Sequence, residues 1–123
     1  MEVSKENISI DLRKKLFKAE VMGIHFKEGE HDILYIPSLQ ISAYGSNIEE
    51  ADQMAKESMI NFFKDISNLN ESEVYKVLKD LGWNRVKYFK KKLTHLSETT
   101  FEDIKKEFNL PDDTRVEKIP IAV

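Results

Sequence analysis

The sequence predicts an α+β fold: a three-stranded antiparallel sheet covered by one main helix, followed by a C-terminal helical appendage and a terminal strand. Three observations predict it. Apolar residues alternate with polar ones between Leu16 and Gly45, as half-buried strands require. Apolar residues then recur at three- and four-residue intervals from Ile48 to Ile66, giving a helix one apolar stripe. A capping pattern separates the two regimes. The length of 123 residues fits one domain spanning 1–123, with a 16–66 core and a 67–123 appendage.

Residues 1–14 are polar and charged and read as a loose or helical lead-in. In the first strand Phe17, Ala19 and Val21 alternate with Lys18 and Glu20. After Met22-Gly23 the parity reverses, with Ile24 and Phe26 apolar and His25 and Lys27 polar, which predicts a β-bulge at the glycine. Glu28-Gly29-Glu30-His31 reads as a hairpin turn. The second strand runs from Asp32 through the unbroken apolar run Ile33–Ile36, so both of its faces are expected to be covered. Pro37 stops it, having no N–H for the ladder. Leu39, Ile41 and Ala43 alternate with Gln40, Ser42 and Tyr44 in a third strand closed by Gly45.

Ser46 with Glu49, or Asn47 with Glu50, can form the capping box of the main helix. Its stripe is Ile48, Ala51, Ala55, Met59, Phe62 and Ile66. Asn70-Glu71-Ser72-Glu73 caps a shorter helix through Val74, Val77, Leu78 and Leu81, stopped by Gly82, with Trp83 placed to pack back on it. Arg85 to Lys92 has no helical stripe and reads as a strand or ribbon. A third helix starts near Thr99 or Thr100 with Phe101, Ile104 and Phe108 inward. The tail from Arg115 to Val123 is extended, adding to a sheet edge of its own chain or of a neighbouring copy.

Composition limits the chemistry. The chain has no cysteine, so disulfides, thiolate nucleophiles and thiolate metal sites are excluded. The start of the chain lacks the apolar core of a signal peptide, and no apolar run approaches the roughly 20 residues that span a bilayer, which predicts a cytoplasmic protein with no membrane partner. There is no Gly-x-Ser-x-Gly elbow, phosphate-cradling glycine loop or His-Glu-x-x-His helix. These absences point away from an enzyme, and no catalytic residue, cofactor or metal site is expected. His31 beside Glu28, Glu30 and Asp32 reads as a solvated turn rather than a metal site, and His25 as a surface residue.

Net charge is −3 but its distribution is uneven. Arg85, Lys87, Lys90, Lys91 and Lys92 enclose Tyr88 and Phe89 without an acidic residue among them. Cations interleaved with aromatics can neutralise phosphates while the rings stack on bases. The same segment also fits a lysine-protected edge strand whose aromatics face the core. Glu28, Glu30 and Asp32, and Glu49, Glu50 and Asp52, form acidic stretches suited to a basic partner.

Ile33-Leu34-Tyr35-Ile36-Pro37-Ser38-Leu39, followed by Gly45-Ser46-Asn47-Ile48-Glu49-Glu50-Ala51, is similar to the core of the HicB family of antitoxins. Leu78-Lys79-Asp80-Leu81-Gly82-Trp83 and Val116-Glu117-Lys118-Ile119-Pro120 resemble a HicB-like subgroup of largely uncharacterised proteins. The resemblance covers residues 16–66 best. It implies a β-β-β-α unit, a partial ribonuclease-H-like layer without catalytic carboxylates. It also implies binding to a small basic ribonuclease toxin and masking of its active site. Leu39-Gln40-Ile41 stands where the family carries a Pro-Gly-Cys-like turn, and nothing after residue 66 reads as the family's DNA-binding motifs. The expected protein is therefore a self-associating binding domain, HicB-like in its partner choice or nucleic-acid-binding through residues 85–92.

Overall fold

The structure, a computed structural model, describes residues 4–97 and 100–123. Met1–Val3 of the expected lead-in, Thr99 and the side chain of Lys90 lie outside the described residues. The elements run β1 (Ser4–Asp11), β2 (Leu16–Glu28), β3 (His31–Ile36), β4 (Ile41–Gly45), α1 (Ile48–Ile66), α2 (Glu71–Asp80), β5 (Asn84–Val86), β6 (Phe89–Ser97), α3 (Phe101–Glu107) and β7 (Val116–Ala122). The class is α+β with an antiparallel sheet, as the alternation predicts, but the sheet has seven strands and not three. The chain start is one of the additional strands. Ile8 and Ile10 of β1 point into the core, and β1 hydrogen-bonds to β2 on one side and to β6 on the other.

β2 organises the molecule. It pairs with β1 over Leu16–Glu20, with β3 over Ile24–Glu28 and with β7 over Glu20–Phe26. β7 overlaps both other partners, and a strand has two edges. β1 and β3 therefore share one edge of β2 and β7 occupies the other. Between them, at Met22, the ladder forks. There the buried Glu6 carboxylate accepts the Met22 amide (2.9 Å) and the Ser38 hydroxyl (2.6 Å), replacing the missing strand partner. The Ser38 carbonyl accepts the indole N–H of Trp83 (2.9 Å), tying the fork to the segment after α2.

The parity reversal at Gly23 is not a bulge. The β2–β7 register runs unbroken through it. Instead, two cores lie on opposite faces of the strand. Ala19 and Val21 belong to the main core with Ile8, Ile10, Leu34, Ile36, α1, α2, Trp83 and Leu93. Ile24 and Phe26 face the other way, onto Ile104 of α3 and the half-buried Phe108, Leu110 and Val116. The apolar side changes because the cover changes. β3 is covered on both faces as expected, by Leu34 and Ile36 in one core and by Ile33 and Tyr35 against the other.

Turn and cap chemistry follow the sequence closely. Gly29 has φ 63° in the β2–β3 turn, where a side chain would be strained. α1 starts on the later of its two possible registers, with Asn47 Oδ1 accepting the Glu50 amide at 2.8 Å. Its buried stripe is Ala51, Ala55, Met59, Phe63 and Ile66. Phe63 takes the central place expected for Phe62, which packs half-buried beside it. The Asn70–Glu73 capping box of α2 is complete. α3 is capped by Thr100, with Ile104 buried and Phe101 38% exposed rather than fully inward. β7 adds to the sheet of its own chain. No helix among the described residues is long and apolar enough to cross a membrane.

Candidate nucleic-acid interface

Residues 84–97 form the β5–β6 hairpin. Val86 pairs with Phe89, which leaves Lys87-Tyr88 at the tip, and the register shifts between Arg85 and Val86. The two aromatics do not face the core. The hairpin does lie at the sheet edge, with β5 the outermost strand, but Tyr88 is 81% exposed and Phe89 60% exposed, so the expectation that an edge strand here would bury these rings is corrected. The apolar anchor of the hairpin is Leu93, buried against the main core. Lys87 Nζ stands 5.4 Å from the Tyr88 ring centre and Lys92 Nζ 5.3 Å from that of Phe89. Each ring thus has a cation over it, within the range of a cation–π contact.

Pairing of β1 with both β2 and β6 extends this surface beyond the segment the sequence singles out. Ser9 has Lys18 as its partner on β2 and Lys92 on β6, placing two lysines in one cross-strand row. The β1–β2 turn supplies exposed Arg13, Lys14 and Lys15. Asp11 sets the shape of this turn by accepting the Lys14 amide at 3.2 Å. Its carboxylate also pairs with Lys91 Nζ at 3.0 Å. The Lys91 hydrogen bond, followed by that of the Lys14 amide, holds the Asp11 carboxyl below its ordinary value.

Between the turn, α2 and the hairpin lies an open groove of about 420 Å³, with Arg13, Tyr75, Arg85 and Lys91 among its walls. The Arg85 guanidinium lies over the Tyr75 ring, 3.7 Å from its centre, and reaches Glu71 at 3.8 Å. Arg13, Lys14, Lys15 and Lys18 were not singled out by sequence reasoning. The run Arg13-Lys14-Lys15 was visible, but only the pairing of β1 with β6 brings it beside residues 85–92.

The acidic residues gather at the opposite end of β2. Asp32 pairs with Gly45 across β3–β4, which sets the Gly29 turn next to the start of α1. Glu28, Glu30, Glu49 and Glu50 are exposed there. Asp32 is not part of that surface: it is 4% exposed and bonded to His25, so its assignment to a partner surface is corrected. Asp52 pairs with Lys56 one turn on. Twelve residue steps separate Leu16 from Glu28, so basic and acidic ends stand up to about 40 Å apart at ~3.3 Å per residue.

His25, expected at the surface, is half-buried and bonded at both ring nitrogens. Nε2 meets Asp32 Oδ1 at 2.6 Å and Nδ1 meets Glu117 Oε1 at 2.7 Å. The two carboxylates address opposite nitrogens and cannot converge on one ion. Among the described residues no cluster of histidine and carboxylate groups can hold a metal.

Comparison with protein-family models, curated proteins and solved structures finds no match to this chain.

Proposed function

We propose that this protein is a non-catalytic nucleic-acid-binding module that works through its basic end. The observation that carries the reading is the exposure of Tyr88 and Phe89 on a hairpin rich in lysine. Lys87 stands over the first ring and Lys92 over the second. Arg13, Lys14, Lys15, Lys18, Lys87 and Lys92 supply positive charge around them, and the two carboxylates of this end, Asp11 and Glu71, are each paired with a cation of the chain, which limits their repulsion of a polyanion despite the net charge of −3. The test is binding of a labelled oligonucleotide at 50 and 200 mM salt. Binding that weakens with salt, and is lost on reversing Arg13, Lys14 and Lys15 to Glu, is expected. Binding unaffected by that reversal would overturn the reading.

A second reading is HicB-like: binding of a small basic protein by the acidic end. Support comes from the order β2-β3-β4-α1, with α1 packed on β3 and β4, and from the convergence of Glu28, Glu30, Glu49 and Glu50. Asp32 and Asp52 have partners within the chain, so four carboxylates and not six would meet the partner. Co-purification of a small basic protein that survives nuclease treatment, and is lost on reversing those four to Lys, is the expected result.

A further inference from the structure

We infer that the ligand of the basic end is single-stranded, its unpaired bases stacking on Tyr88 and Phe89 while its phosphates follow the cations of the hairpin and the β1–β2 turn. This rests on the nucleic-acid reading and narrows it. The geometry of the hairpin is the reason. Tyr88 at the tip and Phe89 at the first position of β6 are among the most exposed large apolar side chains described. A duplex offers such rings nothing, because its bases already stack on one another and present only edges in the grooves. A single strand offers π-faces that cost little to expose. Stacking on aromatics tolerates any base, so sequence preference is expected to be weak.

The remaining cations are spaced for a short backbone path. Lys87 and Lys92 flank the rings, Lys91 and Arg13 line the adjoining groove, and Lys14 and Lys15 continue the charge on the β1–β2 turn. Lys91 and Arg85 are balanced within the chain by Asp11 and Glu71. The binding charge is therefore carried by Lys87, Lys92 and the turn. With at most these five cations neutralising phosphates, log affinity should fall with log salt at a slope no steeper than about −3.5 for a single strand. The footprint should lie near the short end of the range for single-strand binders, about four nucleotides.

The experiment is fluorescence anisotropy with the full chain against a labelled 12-nucleotide single strand, as RNA and as DNA, the matching duplexes, and poly-glutamate. Tyr88→Ala, Phe89→Ala and Tyr88→Phe are compared with the parent, and circular dichroism reports folding. Both rings are exposed, so truncation leaves the core intact. The inference predicts tighter binding to the single strands than to duplex. Each alanine variant should lose between about fivefold and a hundredfold, while Tyr88→Phe is retained. Equal binding of single strand and duplex, with both alanine variants unaffected, would overturn the stacking inference and leave the nucleic-acid reading standing. Poly-glutamate bound as tightly as the oligonucleotides would overturn it by showing a surface that reads charge alone. Binding to none of the nucleic acids would overturn both.

Discussion

The Glu6 carboxylate lies 2.9 Å from the Met22 amide and stands in for a strand at the point where β1 and β3 part. Glu6 is 2% exposed, and the same oxygen accepts the Ser38 hydroxyl. Glu6→Ala strands a part-buried N–H and a buried O–H together. Each unsatisfied group costs about 1–3 kcal/mol, so a fall in the urea midpoint is expected, with accelerated amide exchange at Met22. Glu6→Gln keeps an acceptor oxygen and should lose less. Equal effects of the two would show that the carboxylate is not used as an acceptor.

Gly23 sits where the main core meets β7. A Cβ there would come within 2.6 Å of Ile121 Cδ1, 3.0 Å of Leu34 Cδ1 and 3.3 Å of the Ile119 carbonyl oxygen. Gly23→Ala should destabilise the protein by about 1–3 kcal/mol through overpacking, with β7 loosened first. Thermal unfolding checks the magnitude. Paired Gly23→Ala and Ile121→Val changes should recover part of the loss, since the second removes the Ile121 Cδ1 methyl.

His25 joins three strands through Asp32 on β3 and Glu117 on β7. His25→Ala leaves the buried Asp32 carboxylate without its ring partner, which should cost about 3 kcal/mol. Glu117 is half-exposed, and Glu117→Gln should cost less than about 1 kcal/mol. Chemical denaturation of the two variants measures the ratio. Comparable losses would mean that the Asp32 contact is not the dominant one.

Asp103 closes the capping box of α3. The Thr100 amide, and then the Thr100 hydroxyl, hold its carboxyl below the ordinary value of 3.8. A lowered value means the carboxylate favours the folded helix. Its contribution is present above pH ~4 and is lost as pH falls through the folded value. The Thr100 amide, which donates to the Asp103 carboxylate at 3.1 Å, should shift its resonance in that acid range, and Asp103→Asn should abolish the shift. A midpoint above 3.8 would contradict the arrangement.

Local chemistry made much of this fold readable in the sequence. The turn at Gly29, the stop at Pro37, the Asn70 capping box and the α1 stripe each arise from residues a few positions apart. β1 is hard to read because Ser4–Asp11 carries only Ile8 and Ile10 as a strand signal; its first partner, β2, is one turn away, but its second, β6, comes about 85 positions later. The reversal at Gly23 mimics a bulge because alternation reports which side is covered, not by what. The basic end was half legible for the same reason. Residues 85–92 announced themselves by composition, but their juxtaposition with Arg13–Lys15 depends on strand order. The His25 cluster, assembled from positions 7 and 92 residues apart, left no local trace.

The second edge of β2 is closed by β7, a strand nearly a hundred residues downstream. On the ribosome, β2, β3, β4 and α1 are available long before residues 116–122 emerge. Through most of synthesis the central strand therefore presents a row of open amides and carbonyls beside Val21 and Gly23. Such an edge is a template for pairing with other nascent chains. Late arrival of β7 makes the last step of folding also the one that ends this exposure. A chain shortened before Val116 should therefore accumulate as aggregate rather than as a smaller folded protein.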